Sequence, residues 1–188
     1  TLELEPRQHR CPQIRARVLR DWSVRRAAIN VALGERMAAE IARLVPGARL
    51  RVLPNWADGA AIRPMASAAS ALRREWGLEG KFVIGYAGNL GRAHDCETLL
   101  AAARLLASER DVMFSFTGGG FHIASLREAK LANLSVRGYV PEERLGESLG
   151  ACDVHLVTLL PGLEGLVVPS KFYGVAAAGR AMIFVGDP

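Results

Sequence analysis

Phe82-Val83-Ile84-Gly85-Tyr86-Ala87-Gly88-Asn89-Leu90-Gly91-Arg92 is the stretch that decides the fold. A run of buried-strand type ends in a glycine-rich turn, and a helical pattern on Leu99, Leu100, Ala103, Leu105 and Leu106 follows at once. The same unit repeats toward the C-terminus. A strand over 112–117 ends in Gly118-Gly119-Gly120 before a helix over 122–132, and a strand over 134–137 ends in Gly138-Tyr139-Val140-Pro141 before a helix over 142–149. A strand over 154–159 enters the loop from Pro161 to Pro169, a helix spans 170–178, and 181–185 is the last strand. Apolar strands alternating with helices predict an α/β fold, a parallel sheet with helices on both faces. Ligands of such sheets bind at the carboxyl ends of the strands, so Gly88–Arg92, Gly118–Gly120, Tyr139–Val140 and Gly162–Lys171 are expected to meet along one edge.

Outward in the other direction the pattern is less regular. Residues 6–28 have helical spacing, with Ile14, Val18, Leu19 and Trp22 among arginines, and residues 29–33 read as a strand. A second helix on Met37, Ile41, Leu44 and Val45 stops at Pro46-Gly47, and 50–53 is another strand. Pro54 to Gly59 breaks regular structure, and the Ala/Ser-rich residues 65–71 read as a linker.

Half of the 188 residues are apolar, enough for a substantial core. No apolar run approaches a membrane span, and no signal peptide is expected. Three cysteines at unrelated spacings, Cys11, Cys96 and Cys152, argue for a reducing compartment and against a structural zinc site. Residues 1–64 hold 12 Arg against 6 Asp+Glu, a local charge of +6 in a chain of net +5. Arg7, Arg10, Arg15, Arg17, Arg20, Arg25 and Arg26 supply much of it, either as a solvated helix face or as a basic surface toward anionic lipid or a phosphate-bearing acceptor. Nucleic acid is not expected, because interleaved aromatics and any recognisable nucleic-acid module are missing.

The loop chemistry points to an anionic ligand with a polar appendage. Gly85, Gly88 and Gly91 do not make the dinucleotide fingerprint, nor is there a P-loop, but they allow close approach of backbone N–H groups to a phosphate, with Arg92 supplying charge; a tight turn without a ligand is the alternative. Gly118-Gly119-Gly120 reads as a ligand-facing strand end or a flexible turn. Ser170 is the expected N-cap of the helix that carries Lys171, and Gly179 its C-cap. Glu164 is either an acceptor for sugar hydroxyls or a solvent-exposed loop carboxylate. Asp95 and Glu97 read as first-turn helix residues rather than as an acid/base cluster with His94.

Taken in order, several motifs resemble those of the retaining glycosyltransferases of family 4, with the GT-B architecture of two facing Rossmann-like domains. They are Pro54-Asn55-Trp56-Ala57-Asp58 with Ile62-Arg63-Pro64, Gly85 to Arg92, Phe116 to Gly120, Gly138-Tyr139-Val140, Ala151-Cys152-Asp153-Val154, and Pro169-Ser170-Lys171-Phe172-Tyr173 through Arg180. The resemblance implies that residues 1–64 are the tail of an acceptor domain and 65–188 a donor-binding domain, incomplete at its C-terminus. It implies a nucleotide sugar, a UDP- or GDP-sugar, as co-substrate with no resident cofactor and no metal, and transfer with retention to a glycan or lipid-linked acceptor. Gly88, Asn89, Arg92 and the loop Glu164, Gly165, Leu166, Val167, Ser170 and Lys171 would hold diphosphate and sugar; Gly118, Gly119, Gly120, Tyr139 and Val140 would lie near base and ribose. No catalytic residue is assigned.

Two positions depart from the family pattern. The second of its two glutamates has no counterpart, since Phe172 stands eight positions after Glu164 and the alanine-glycine stretch aligns Gly174 there. A basic residue usual after the first glycine loop is replaced by His94, which leaves Arg92 as the expected phosphate partner. Complete enzymes of this type are about twice as long, so an inactive fragment of a cytoplasmic enzyme, peripheral at the inner face of a membrane, is the expectation. A nucleotide-binding or scaffold module without turnover and a nucleotide-sugar epimerase are the alternatives.

Overall fold

The computed structural model describes residues 10–186 and divides into two compact units, 1–54 and 55–188. The first contains α1 (Arg10–Arg26), β1 (Asn30–Ala32), α2 (Glu35–Leu44) and β2 (Leu50–Val52), with β1 and β2 parallel and Asn30 opposite Leu50. The Asn30 side chain donates to the carbonyls of Val24 (3.0 Å) and Arg49 (3.1 Å), tying the end of α1 to the pair of strands.

The second unit contains α3 (Ala71–Glu75), β3 (Phe82–Asn89), α4 (Cys96–Leu105), β4 (Val112–Gly119), α5 (Ile123–Glu128), β5 (Leu134–Arg137), α6 (Leu145–Gly150), β6 (Val154–Thr158), α7 (Lys171–Ala177) and β7 (Ala181–Val185). Its five strands pair in parallel in the order β5-β4-β3-β6-β7. Both faces of β3 are covered, as a run without polar alternation requires. Ile84 and Tyr86 point into a cluster with Phe114, Phe116, Leu99, Ala103 and Leu126, under α4 and α5. On the opposite face Val83 packs with Leu78 and Cys152, and Ala87 packs against Ile62, Leu149, Val175 and Ala178, under α6 and α7.

The helix ends show how local chemistry sets the elements. Asp95 caps α4: its carboxylate accepts the Thr98 N–H (3.0 Å) and the Thr98 hydroxyl (2.5 Å), which holds its pKa below the usual range. Gly179, at φ +66, ends α7 in a Schellman motif, with its own N–H bonded to the Ala176 carbonyl (3.0 Å) and that of Arg180 to Val175 (3.2 Å).

Three sequence expectations change. Residues 65–71 are not a linker: a 3₁₀ turn over Ser67–Ala69 leads into α3, whose N-cap Ser70 accepts the Arg73 N–H (3.2 Å). Arg73, 8% exposed, crosses to the Ala151 carbonyl (2.8 Å), the Lys81 carbonyl and Asp153, whose other bond takes the Val83 N–H (2.7 Å). A five-residue helix leaves too little periodicity to read. The unit boundary falls between Pro54 and Asn55, ten residues before the expected 64/65, because Ile62 is buried against Leu149, Val175 and Ala178 and Met65 accepts a hydrogen bond from Arg180. Ser170 precedes α7 but does not cap it with its side chain. Its backbone is already helical (φ −60, ψ −25), so the hydroxyl cannot reach back over the first turn as an extended capping residue's does.

Candidate functional site

The chain leaves β3 toward β4 and β5 on one side, and returns through β6 and β7 on the other. The carboxyl ends of β3 and β6 therefore flank a topological switch point, where a crevice opens because the two connections diverge. A cavity of ≈ 770 Å³ lies there, within the second unit. Gly88 and Asn89 at the end of β3, Thr117 of β4, and Tyr139 and Val140 after β5 line it; so do Val167 to Lys171 at the entry to α7 and Gly174 one turn along. Ser148 and Leu149 of α6 and the segment with Trp56, Asp58 and Ile62 close the opposite wall.

Lys171 supplies the positive charge. Its Nζ lies 4.9 Å from the centre of the Tyr86 ring and 3.2 Å from His94 Nε2, and burial pushes its pKa down to about 8. His94 Nδ1 is 2.6 Å from the Thr158 carbonyl, which can only accept, so Nδ1 carries the proton and Nε2 presents a lone pair to the ammonium. Burial, with Lys171 adding to it, lowers the His94 pKa and favours this neutral form. Tyr86, 2% exposed, donates to the Asn89 carbonyl (3.1 Å), and burial raises its pKa. A half-buried ammonium with one neutral acceptor at a switch-point crevice is an arrangement that an incoming anion satisfies.

The site residues expected from sequence fall into two groups. Gly88, Asn89, Tyr139, Val140, Val167, Ser170 and Lys171 line the cavity together. Arg92, Gly118, Gly119, Gly120, Glu164, Gly165 and Leu166 do not. Arg92 is exposed, its guanidinium 4.6 Å from the centre of the Phe121 ring, while His94 and Lys171 stand where charge meets the cavity. Gly118 runs beside β3, Gly119 lies against the Tyr139 ring and Gly120 against Asn89 and Leu90. Glu164 turns back on its own loop, accepting the Gly162 N–H (2.9 Å), while its Oε1 is buried with no protein partner. Among the described residues no cluster of three or more His, Cys, Asp or Glu could hold a metal ion, and no helix is long and apolar enough to cross a membrane.

No family model matches the chain. Over 162 residues it is 34% identical to the probable glycosyltransferase WbjE of Pseudomonas aeruginosa, a match covering 82% of this chain and 40% of WbjE. It is 29% identical over 171 residues to the putative colanic acid biosynthesis glycosyl transferase WcaI of Escherichia coli (strain K12), covering 88% and 40%. Among solved structures, the sucrose-phosphate synthase of Thermosynechococcus elongatus superposes with a TM-score of 0.73 at 18% identity, over 97% of this chain and 47% of that one. Anabaena Alr3699/HepE in complex with UDP-glucose gives 0.72 at 18% identity, over 93% and 50%. The sequence is similar to those of glycosyltransferases, and the fold is of the GT-B type. The chain spans about two-fifths of the length of the curated relatives it matches.

The reading of strand ends found the β3 and α7 sides of the cavity and missed the α6 side. Ser148, Leu149 and Leu145 line it, but they come from a six-residue helix whose own glycines and charge, Gly146, Gly150 and Glu147, do not line the cavity. His94 was legible as the substitute for a basic residue, and its position just before the Asp95 cap is the signal that could have placed it at the strand end.

Proposed function

We propose that the second unit binds the diphosphate of a nucleotide sugar, a UDP- or GDP-sugar, in the switch-point cavity. In the whole protein it would serve glycosyl transfer with retention to a glycan or lipid-linked acceptor. The observation that carries this reading is the Lys171–His94 pair facing the ≈ 770 Å³ cavity. HepE, a structural neighbour, is solved with UDP-glucose, which supports the ligand class. When the bond from the anomeric carbon to the diphosphate oxygen breaks, negative charge grows on that oxygen. A cation already desolvated by the fold stabilises it more than a solvated one would. The buried, unpartnered Oε1 of Glu164 is an acceptor that a sugar hydroxyl could satisfy after a small loop rearrangement.

Calorimetric titration of the chain with UDP, GDP and their glucose and mannose conjugates tests the reading. Heat with at least one nucleotide, abolished or strongly reduced in Lys171→Ala, supports it; no heat with any of them refutes it. We propose further that the acceptor side works at a membrane surface on the cytoplasmic side; the exposed Arg17, Arg25 and Arg26 of α1 beside exposed Val18, Leu19 and Trp22 support this reading. Salt-sensitive sedimentation with anionic liposomes is the expected result; its absence removes this part. Arg7 of the basic run lies outside the described residues.

A further inference from the structure

Lys81, Lys130 and Lys171 are the lysines of the chain, and their amines stand in different surroundings. Lys81 Nζ donates to the Arg110 carbonyl (2.8 Å) and lies 3.6 Å from an Asp111 carboxylate oxygen, and Lys130 is exposed beyond the end of α5. Lys171 faces the cavity instead. Its neighbours there are neutral: His94 Nε2 at 3.2 Å and the Tyr86 ring, whose centre is 4.9 Å away and whose phenol is kept protonated by burial. Among the described residues no carboxylate pairs with this amine, although Asp58 and Glu142 both line the cavity.

Addition to a carbonyl needs a free lone pair on nitrogen, and burial lowers the Lys171 pKa to about 8. At pH 7.4 that leaves about a fifth of Lys171 unprotonated, against about a thousandth of an ordinary lysine. Among the described residues lining the cavity there is no other lysine or arginine, so an uncharged electrophile suits an uncharged Lys171 better than a phosphorylated one. His94 adds a base. Its Nδ1 proton is committed to the Thr158 carbonyl (2.6 Å), and burial, with Lys171 and His122 adding to it, favours the neutral ring whose Nε2 lone pair points at Nζ.

From this pairing we infer that Lys171 is a site of covalent modification by small α-hydroxyaldehydes, the open-chain form of reducing sugars, with His94 as the base that makes the adduct permanent. The Nζ lone pair attacks the aldehyde carbon, C1; water leaves, and a protonated imine remains. C2 is bonded to the carbon that Nζ now holds, so the tether itself brings its hydrogen beside a nitrogen already 3.2 Å from Nζ. His94 Nε2 takes that hydrogen as a proton, and a proton returns to C1 as the C2 hydroxyl gives up its own. The product is a ketoamine. C2 is oxidised by two electrons and C1 reduced by two, so no outside oxidant or reductant takes part.

Incubation of the full chain with D-glyceraldehyde at pH 7.4, followed by peptide mass mapping, tests the inference. Ketoamine at Lys171 should exceed that at Lys81 and at Lys130 by ~10-fold or more, the lower range of what a positioned base contributes. Occupancy at Lys171 no higher than at the other two overturns it. His94→Asn keeps an amide N–H for the Thr158 carbonyl and removes the Nε2 lone pair. With cyanoborohydride present to reduce the imine as it forms, labelling of Lys171 in this variant should stay within about threefold of wild type, while without it the ketoamine should fall ~10- to 100-fold. Parallel loss in both assays, or loss in neither, overturns the role of His94.

One consequence rests on the donor-site reading: a ketoamine fills the charged end of the cavity, so the modified chain should bind UDP or GDP at least ~10-fold more weakly, as expected when a charge-assisted contact is lost. Modified chain that binds them as tightly as unmodified chain contradicts the phosphate contact alone. Absence of ketoamine at Lys171 refutes the inference whatever the nucleotides do.

Discussion

Gly88 at the end of β3 and Gly118 at the end of β4 sit opposite each other in register, yet only the first opens on the cavity. The two strand ends look alike in sequence, both glycine-rich and both following an apolar run. Their glycines answer different demands. Gly118, at φ +137, has no room for a β-carbon, which would run into the Gly88 carbonyl, and the Gly119 carbonyl accepts the Leu90 N–H (2.7 Å). There the close approach is strand to strand. At Gly88 the nearest atom to a β-carbon is the Lys171 Cε at 4.0 Å, so the opening is toward the charged end of the cavity. Glycine at a strand end marks something coming near the backbone; whether that something is protein or ligand depends on where the buried charge stands.

The sharpest way to break this contrast is Gly118→Ala. The substitution combines a backbone conformation that L residues avoid with a collision against backbone, and should destabilise the chain by about 3–5 kcal/mol. Chemical denaturation reads the loss directly, and a cost below about 1 kcal/mol would mean that β3 and β4 can separate there. Lys171→Ala comes next. It should weaken diphosphate binding by ~10- to 100-fold, as loss of a charge-assisted contact does, and change nucleoside binding far less. Equal losses for nucleotide and nucleoside would show that Lys171 shapes the cavity rather than meeting the phosphates.

The pH dependence separates the two strand ends in a third way, because only one of them carries a titrating cation. Lys171 is charged in the free protein below about pH 8. A bound diphosphate stabilises the ammonium, so affinity should be greatest below pH 8 and fall as pH rises above it, with proton uptake on binding near pH 8–9. Titrations in buffers of different ionisation enthalpy measure that uptake. The same group affects stability in the opposite sense: its folded pKa lies below the unfolded value of 10.5, so between about 8 and 10.5 the unfolded chain binds the extra proton and this contribution rises with pH. Binding that does not change between pH 7 and 9.5 would remove Lys171 from the phosphate contact.

Much of this fold was legible because parallel strands carry their burial in sequence. The strand over 134–137 appears in the structure with those bounds, and those over 112–117 and 154–159 differ only at their ends, since each carries apolar residues at alternate positions that pack into the core, Leu134 and Val136, Phe114 and Phe116, Val154 and Leu156. What escaped the sequence depended on distant partners. The helix at Ala71–Glu75 is short and held by Arg73 reaching Asp153 and by Glu147 accepting the Leu72 N–H (3.0 Å), contacts about 75–80 residues away in the chain. Half of the cavity was legible for the same reason as the strands, because strand ends must converge on the switch point. The α6 wall was not, since Ser148 and Leu149 face the cavity through helix packing alone. Arg92 shows the limit most directly: its charge and its place after Gly91 suggested a phosphate partner, but nothing in local sequence fixes which way an exposed arginine turns.

Arg92→Ala therefore has the smallest expected effect and the clearest bearing on the comparison. The guanidinium lies over Phe121, itself 62% exposed, on the β4 side and away from the cavity lining. A contact of that kind holds a surface loop together and is screened by solvent, so its removal should leave diphosphate affinity within about twofold, the range of an ordinary surface substitution. Charge alone would predict otherwise, because at the switch-point edge an arginine and a lysine should attract the same anion. The burial of Lys171 makes the difference: a desolvated ammonium with one neutral partner gains far more from a phosphate than a guanidinium already in water. If Arg92→Ala weakens diphosphate binding as much as Lys171→Ala does, the loop at Gly88–Arg92 must close over the ligand. The two glycine-rich strand ends would then act as one site rather than as a ligand cradle beside a packing contact.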